Sequence, residues 1–320
     1  MFLWRIFMNI IESIKSIFNP QNSIPPSNPS ETETQIINIQ NTNSNKYALL
    51  VGINKYEQSG NDLNGCVNDV EAMYKLLITQ YGFKPDNIRM LINERATKQA
   101  ILERLDWLTG IAKPGDLLVW HNSSHGSQIR DRNGDELYDH QDEILITYDH
   151  DWENPLIDDD IAEIFKNIPN GAFLTFISDS CFSGSVDRVF NESPTKIRYV
   201  HPPLDIAIRS YDRILPINKF GWKSLNRSIN DITYIENQRH MLLSGCRDNQ
   251  TSADATFNGK WHGALTYALL NSLQNNSNLS WKDIHKQIII KLKTDGFTQV
   301  PQLSGPSKLL DSIPFNNIKI

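Results

Sequence analysis

Strand and helix patterns alternate four times along the first half of this chain, and that alternation constrains its fold more than any other feature. Short apolar runs at Tyr47–Ile53 (YALLVGI), Ile88–Ile92, Leu117–Trp120 and Phe173–Ile177 are bounded by Gly, Asn, Asp or Ser, the signature of strands buried on both faces. Between them the apolar residues recur at helical steps: Val70, Met73 and Leu77 behind Asn68 as a possible cap, Ile101, Leu105 and Leu108 behind Thr97, and Ile161, Ile164 and Phe165 behind three aspartates. Such a pattern predicts an α/β fold, a largely parallel sheet sandwiched between helices. A strand-like Met241–Leu243 and helical stretches near 263–273 and 281–292 are expected to complete the same sheet.

The flanks and the middle of the chain read differently. In residues 1–18, Leu3, Ile6, Phe7, Ile10, Ile14, Ile17 and Phe18 form one face of an amphipathic helix, and Arg5, Glu12 and Lys15 interrupt any membrane-spanning run. This helix suits either a membrane surface or a partner, or packing on its own domain. Residues 19–45 are polar and proline-bearing, as a linker would be. Residues 46–187 are expected to form a large subdomain, 188–238 a linker or insertion, and 239–320 a small subdomain. With 39% hydrophobic and 21% charged residues, the 320-residue chain has the composition of a globular protein. A net charge of −6 argues against a basic nucleic-acid surface. Three cysteines cannot all pair, so a reducing compartment is expected; no cleavable signal is visible, which makes the cytoplasm the default location. A monomer is the expected state.

In an open α/β sheet the site lies beyond the carboxyl ends of the strands. Two such ends carry reactive residues: Ser124-His125-Gly126-Ser127 follows the third apolar run, and Asp179-Ser180-Cys181-Phe182-Ser183-Gly184 follows the fourth. One helix separates them, so both loops should open at the same end of neighbouring strands. A thiol near its ordinary pKa of ~8.5 is only slightly ionised at neutral pH, and an adjacent imidazole can take its proton. His125 would then protonate the leaving amine, while the backbone N–H groups of Gly126 and Cys181 could hold a developing oxyanion. A lone cysteine at a strand end is usually a small buried hydrophobe; the matching histidine loop tips the reading toward chemistry.

These loops, with YALLVGINKY, Gly65-Cys66-Val67-Asn68-Asp69, SGCRDNQTSADA, GALTYAL and PQLSG in order, resemble the caspase-like cysteine peptidases and, within them, the metacaspases. The resemblance covers Lys46 to about Leu310. It implies a caspase-like three-layer α/β/α sandwich with a mostly parallel six-stranded sheet, and cysteine endopeptidase activity through a His125–Cys181 dyad. By motif, Cys66, Asp69, Ser123 and Asp179 would line the S1 pocket. Caspases that read an acidic P1 residue carry a glutamine two residues before the nucleophile, and here that place is Asp179. A pocket with two carboxylates would hold Arg or Lys and repel Asp, so protein substrates with a basic P1 residue are expected. Asp69 would suit a helix start equally well.

Between Asp131 and Asp160 there are twelve acids and Arg132 as the only base. Clustered carboxylates need solvent, a cation or a cationic ligand. The resemblance implies calcium as activator, with Asp142, Asp158, Asp159 and Asp187 as ligands; Asp158–Asp160 also read as the acidic first turn of a helix. No zinc-ligand spacing or organic-cofactor motif is present. Self-processing is expected in the linker, but the sequence leaves open which of Arg188, Lys196, Arg198, Arg209, Arg213, Lys219, Lys223 or Arg227 is cut. His121 reads as packing at a strand end and His262 as a helix-start residue. Two alternatives are a catalytically silent interaction scaffold of the same fold and a legumain- or gingipain-like peptidase of other specificity.

Overall fold

The computed structural model describes residues 44–130, 141–182, 194–209, 237–247, 250–275 and 278–316. The proposed N-terminal helix, the linker up to residue 43 and Asp187 lie outside these residues. Among the described residues no helix is long and apolar enough to cross a membrane.

Six strands form the central sheet: β1 (Lys46–Gly52), β2 (Ile88–Ile92), β3 (Leu117–Ser123), β7 (Phe173–Asp179), β9 (His240–Ser244) and β12 (Gln302–Ser304), in the order β12-β9-β7-β3-β1-β2. The first five run parallel and β12 closes one edge antiparallel to β9. Successive side chains of β1 enter opposite halves of the core, as strand geometry requires. Ala48 and Leu50 pack with Val70, Met73 and Leu77 of α1 (Cys66–Thr79), and with α5 (Ala264–Asn275) and α6 (Trp281–Thr294). Leu49 and Val51 face Ile101, Leu105 and Leu108 of α2 (Lys98–Ile111) and Ile161 and Phe165 of α3 (Asp158–Phe165). The chain is therefore a three-layer α/β/α sandwich whose sheet is mostly parallel. Trp120 stacks on Phe176 with ring centroids 3.9 Å apart, filling the second half-core between β3 and β7.

Helix starts follow local chemistry in one case and long-range chemistry in another. Thr97 caps α2, its hydroxyl accepting from the Ala100 N–H at 3.2 Å. Asn68 does not cap α1: the helix begins at Cys66 behind Gly65, which has no side chain to offer. Asn54 supplies the missing acceptor, its Oδ1 receiving the N–H groups of Cys66 at 2.8 Å and Val67 at 3.3 Å.

Two small sheets stand beside the large one. β4 (Gly126–Arg130), β5 (Gln141–Leu145) and β6 (Leu156–Ile157) form one; β8 (Thr195–Ile197), β10 (Ala253–Phe257) and β11 (Lys260–Gly263) form the other. The stretch 188–238, expected as linker, thus contributes β8 and the short α4 (Leu204–Arg209). β8 is held because Thr195, Lys196 and Ile197 pair antiparallel with Ala255, Asp254 and Ala253.

Candidate active site

Ser123 at the end of β3 is in register with Asp179 at the end of β7, so His125 and Cys181 each emerge two residues beyond the same rung. The loops touch: a Cβ on Gly126 would come within 2.2 Å of the Cys181 carbonyl oxygen, so only glycine fits beside the histidine.

His125 is held from the loop after β1. Its backbone N–H donates to the Tyr56 hydroxyl at 2.9 Å, the Tyr56 ring lies 5.1 Å from the imidazole, and Nε2 lies 2.7 Å from the Asn61 carbonyl. A carbonyl only accepts, so Nε2 carries the proton and Nδ1 presents its lone pair; among the described residues no partner meets Nδ1 within hydrogen-bond geometry. Burial lowers the His125 pKa to about 4, against the opposing pull of the Asn61 carbonyl. The imidazole is neutral at pH 7, the form a general base needs. Cys181 is fully buried and its Sγ rests on the Ser252 peptide group, accepting from the N–H and donating to the carbonyl at 3.2 Å.

His121, His150 and His240 share this burial-driven depression to about 4. A histidine kept neutral in the fold contributes stability that is complete above pH 6.5 and lost as pH falls toward 4, at most about 3 kcal/mol each. In Cys181→Ala protein the melting temperature should therefore begin to fall near pH 6.5, and His121→Gln should flatten that limb in a pH series of melting curves.

Beneath the two loops lies a fully buried acidic pocket. Asp69 from α1, Asp179 from β7 and Asp254 from β10 converge in it, and Arg198 fills it. Nη1 of Arg198 donates to the Ser123 hydroxyl at 2.7 Å and the Asp179 carbonyl at 2.8 Å; Nη2 donates to Asp69 at 2.9 Å and Asp254 at 3.0 Å. The carboxylates are fixed in turn. Asp69 accepts from Ser123, from His262 Nδ1 at 2.9 Å and from the Gly263 N–H. Asp179 accepts from the hydroxyls of Ser252 and Thr266 and from the Thr266 N–H, and Thr266 also contacts His121 Nε2 at 3.1 Å. Asp254 accepts from the Asn64 and Gly65 N–H groups. Burial works to raise the pKa of Asp69, but His262 and Arg198 outweigh it and hold the group below the ordinary carboxylate range. At Asp254 burial prevails over Arg198 and the pKa is raised. Burial raises the Cys66 thiol beside the pocket and keeps it protonated.

The Arg198 backbone, at a bend directly after β8, crosses the reactive loops. Its N–H donates to the Ser252 carbonyl at 3.1 Å, and its carbonyl accepts from the N–H groups of Gly126 at 3.0 Å and Cys181 at 3.3 Å. Those are the two donors expected to hold an oxyanion. The Val200 N–H then donates to the Gly126 carbonyl at 3.1 Å.

All four residues expected in the pocket are thus brought together around one guanidinium. Sequence reasoning missed Asp254, whose only signal was an acid among small residues in SADA; it missed Ser252 and Thr266; and the Asn61 carbonyl, being backbone, leaves no signal. His262 is not a helix-start residue: it lies on β11, where pairing with Asp254–Phe257 directs it to Asp69. Of the acidic stretch, Asp142 is buried on β5 and Asp158 and Asp159 open α3 directly after β6, the strand paired with β5. Among the described residues no three His, Cys, Asp or Glu side chains already converge as a metal cage.

A mostly parallel sheet thus presents a histidine and a cysteine from adjacent strand ends, over a pocket that the Arg198 side chain occupies, within a three-layer sandwich of caspase-like fold. Solved structures with this fold include a Geobacter sulfurreducens protein (TM-score 0.62, 24% identity, covering 86% of this chain and 100% of that one) and Caspase-1 from Spodoptera frugiperda (0.52, 14%, 83% and 90%). Residues 46–189 match the family model described as metacaspase, peptidase C14 domain. Metacaspase-1 of Schizosaccharomyces pombe is 36% identical over 286 residues, 80% of this chain but 66% of that protein's own length; Metacaspase-1 of Candida glabrata is 30% identical over 308 residues, 88% and 78% respectively. The chain belongs to the metacaspase family and is by class a cysteine endopeptidase.

Proposed function

We propose that this protein cleaves polypeptides after arginine, and less well after lysine, through a His125–Cys181 dyad, and that its own Arg198–Tyr199 bond is its first substrate. The observation that carries the reading is Arg198 itself. Its carbonyl sits on the Gly126 and Cys181 N–H groups while its guanidinium sits among three carboxylates. That is the pose of a P1 residue awaiting attack. Arginine suits the pocket because two terminal nitrogens meet four acceptors from different directions, whereas a lysine offers a single nitrogen.

In the reaction Sγ leaves the Ser252 peptide group, gives its proton to His125 Nδ1 and attacks the P1 carbonyl carbon. The carbonyl π pair moves onto the oxygen held by the Gly126 and Cys181 N–H groups. Collapse expels the amine of the next residue, which takes the proton from His125. A thioester remains, and water activated by the same imidazole hydrolyses it. Before cutting, Arg198 occupies the pocket and blocks other substrates, so self-processing would serve as activation.

Calcium is proposed as activator. Asp142, Asp158, Asp159 and Asp187 offer the hard oxygen donors this ion takes, and three of them lie on adjoining elements of one small sheet and its following helix. Bound there, the ion would neutralise clustered carboxylates.

The test compares the full chain with Cys181→Ala on fluorogenic peptides matched except for P1 Arg, Lys, Asp or Asn, each with calcium and with chelator. Expected is cysteine-dependent release in the order Arg, then Lys, with Asp and Asn silent, and a rise of at least tenfold with calcium. Faster release after Asp would overturn the pocket assignment, equal rates in chelator would remove calcium, and silence throughout would favour the scaffold reading.

A further inference from the structure

The substrate-like segment shows more than its P1 side chain. Along β8 side chains alternate, so Ile197, 37% exposed, points away from Lys196, and Arg198 follows at a bend directly after the strand. The Lys196 ammonium reaches the loop between β1 and α1, where Nζ lies 2.7 Å from the Asp62 carbonyl and 3.4 Å from Asn64 Oδ1. The Asp62 carboxylate adds negative potential: its pKa is lowered first by the hydrogen bond from Lys55 and, further down, by Lys196. This cluster is separate from the Arg198 pocket but is built on the same loop. Asn61 holds His125 through its carbonyl, and the Asn64 and Gly65 N–H groups hold Asp254.

We propose that the Asn61–Gly65 loop forms a second cation-reading subsite, S3, so that the protein selects Lys or Arg two residues before its P1 arginine. The inference rests on the reading of Arg198 as a P1 residue. Its preferred substrates then carry the pattern basic-X-Arg, with the middle position open to solvent, as in the chain's own Thr195-Lys196-Ile197-Arg198. The recognising groups are one backbone carbonyl, one amide oxygen and a nearby carboxylate. A flexible ammonium can satisfy them, and an uncharged side chain of the same length can fill the space without the charge-assisted bonds.

The test uses the self-processed full chain and fluorogenic tetrapeptides Thr-X-Ile-Arg with X as Lys, Arg, Met or Glu. Expected is kcat/KM about tenfold higher for Lys than for Met, with Arg close to Lys and Glu below Met. Asp62→Asn should narrow the Lys-to-Met ratio to roughly threefold. In the intact chain Lys196→Met should slow the appearance of the fragment ending at Arg198 by a similar factor, and Lys196→Arg should restore it. Equal rates for Lys and Met, with P1 arginine still required, would overturn the S3 assignment while leaving the P1 reading intact. No hydrolysis of any Arg-P1 peptide would overturn both.

Discussion

Arg198→Gln, made in Cys181→Ala protein so that no cutting intervenes, should lower the melting temperature at pH 7 by roughly 10 °C. The substitution leaves Asp69, Asp179 and Asp254 facing one another in a site where all three are fully buried. Removing one partner from such a cluster costs about 3–5 kcal/mol, because the remaining charges are stranded rather than because the pair itself was worth that much. The pH dependence has a definite sign. Loss of the guanidinium raises the folded-state pKa of Asp254, already above the ordinary range, further above its unfolded value. A carboxyl raised in this way favours the fold below its unfolded pKa and opposes it above. The gap between variant and parent should thus shrink as pH is lowered from 7 toward 4. A constant gap across that range, measured by thermal melts, would mean the three carboxylates are not the source of the strain. In the active chain, Arg198→Gln should also abolish the fragment ending at residue 198.

Asp254→Asn should lower kcat/KM for Arg-P1 peptides by about a hundredfold in the self-processed protein. The substitution keeps the side chain's shape and an oxygen for the Asn64 and Gly65 N–H groups, but replaces a buried charge facing the P1 guanidinium with a neutral amide. Arginine loses more than lysine, because Asp254 meets the second terminal nitrogen of the guanidinium, which an ammonium does not have. The ratio of Arg to Lys turnover should therefore narrow. Unchanged turnover on both peptides would restrict the pocket to Asp69 and Asp179, the two aspartates apparent from the motifs.

The strands of the large sheet were legible because they are buried on both faces, which leaves uninterrupted apolar runs such as Ala48–Val51. The reactive loops were legible for a related reason: each such run ends where the next polar residues begin, and His125 and Cys181 stand there. The small sheets were not legible. β8, β10 and β11 are short and mix Thr, Lys, Ala and Asp, and pairing with one another holds them together with a small apolar face of Ala253, Ala255 and Phe257. Asp254 escaped for the same cause, since its partners lie about 190 residues earlier in the chain. Arg198 was one of eight basic residues in its stretch, and only register with β10 distinguishes it. The start of α1 was misjudged because its cap comes from Asn54 rather than from the residues adjoining the helix.

A chain severed between Arg198 and Tyr199 keeps its sheet. β9 is hydrogen-bonded along its length to β7 on one side and to β12 on the other, and the half-core behind it is shared by α1 from before the break and by α5 and α6 from after it. Asp254 reaches back to Asn64 and Gly65 across the same divide. Severance therefore changes connectivity without separating the pieces: two polypeptides persist as one folding unit. The carboxylates contributed by either side stay in one chamber.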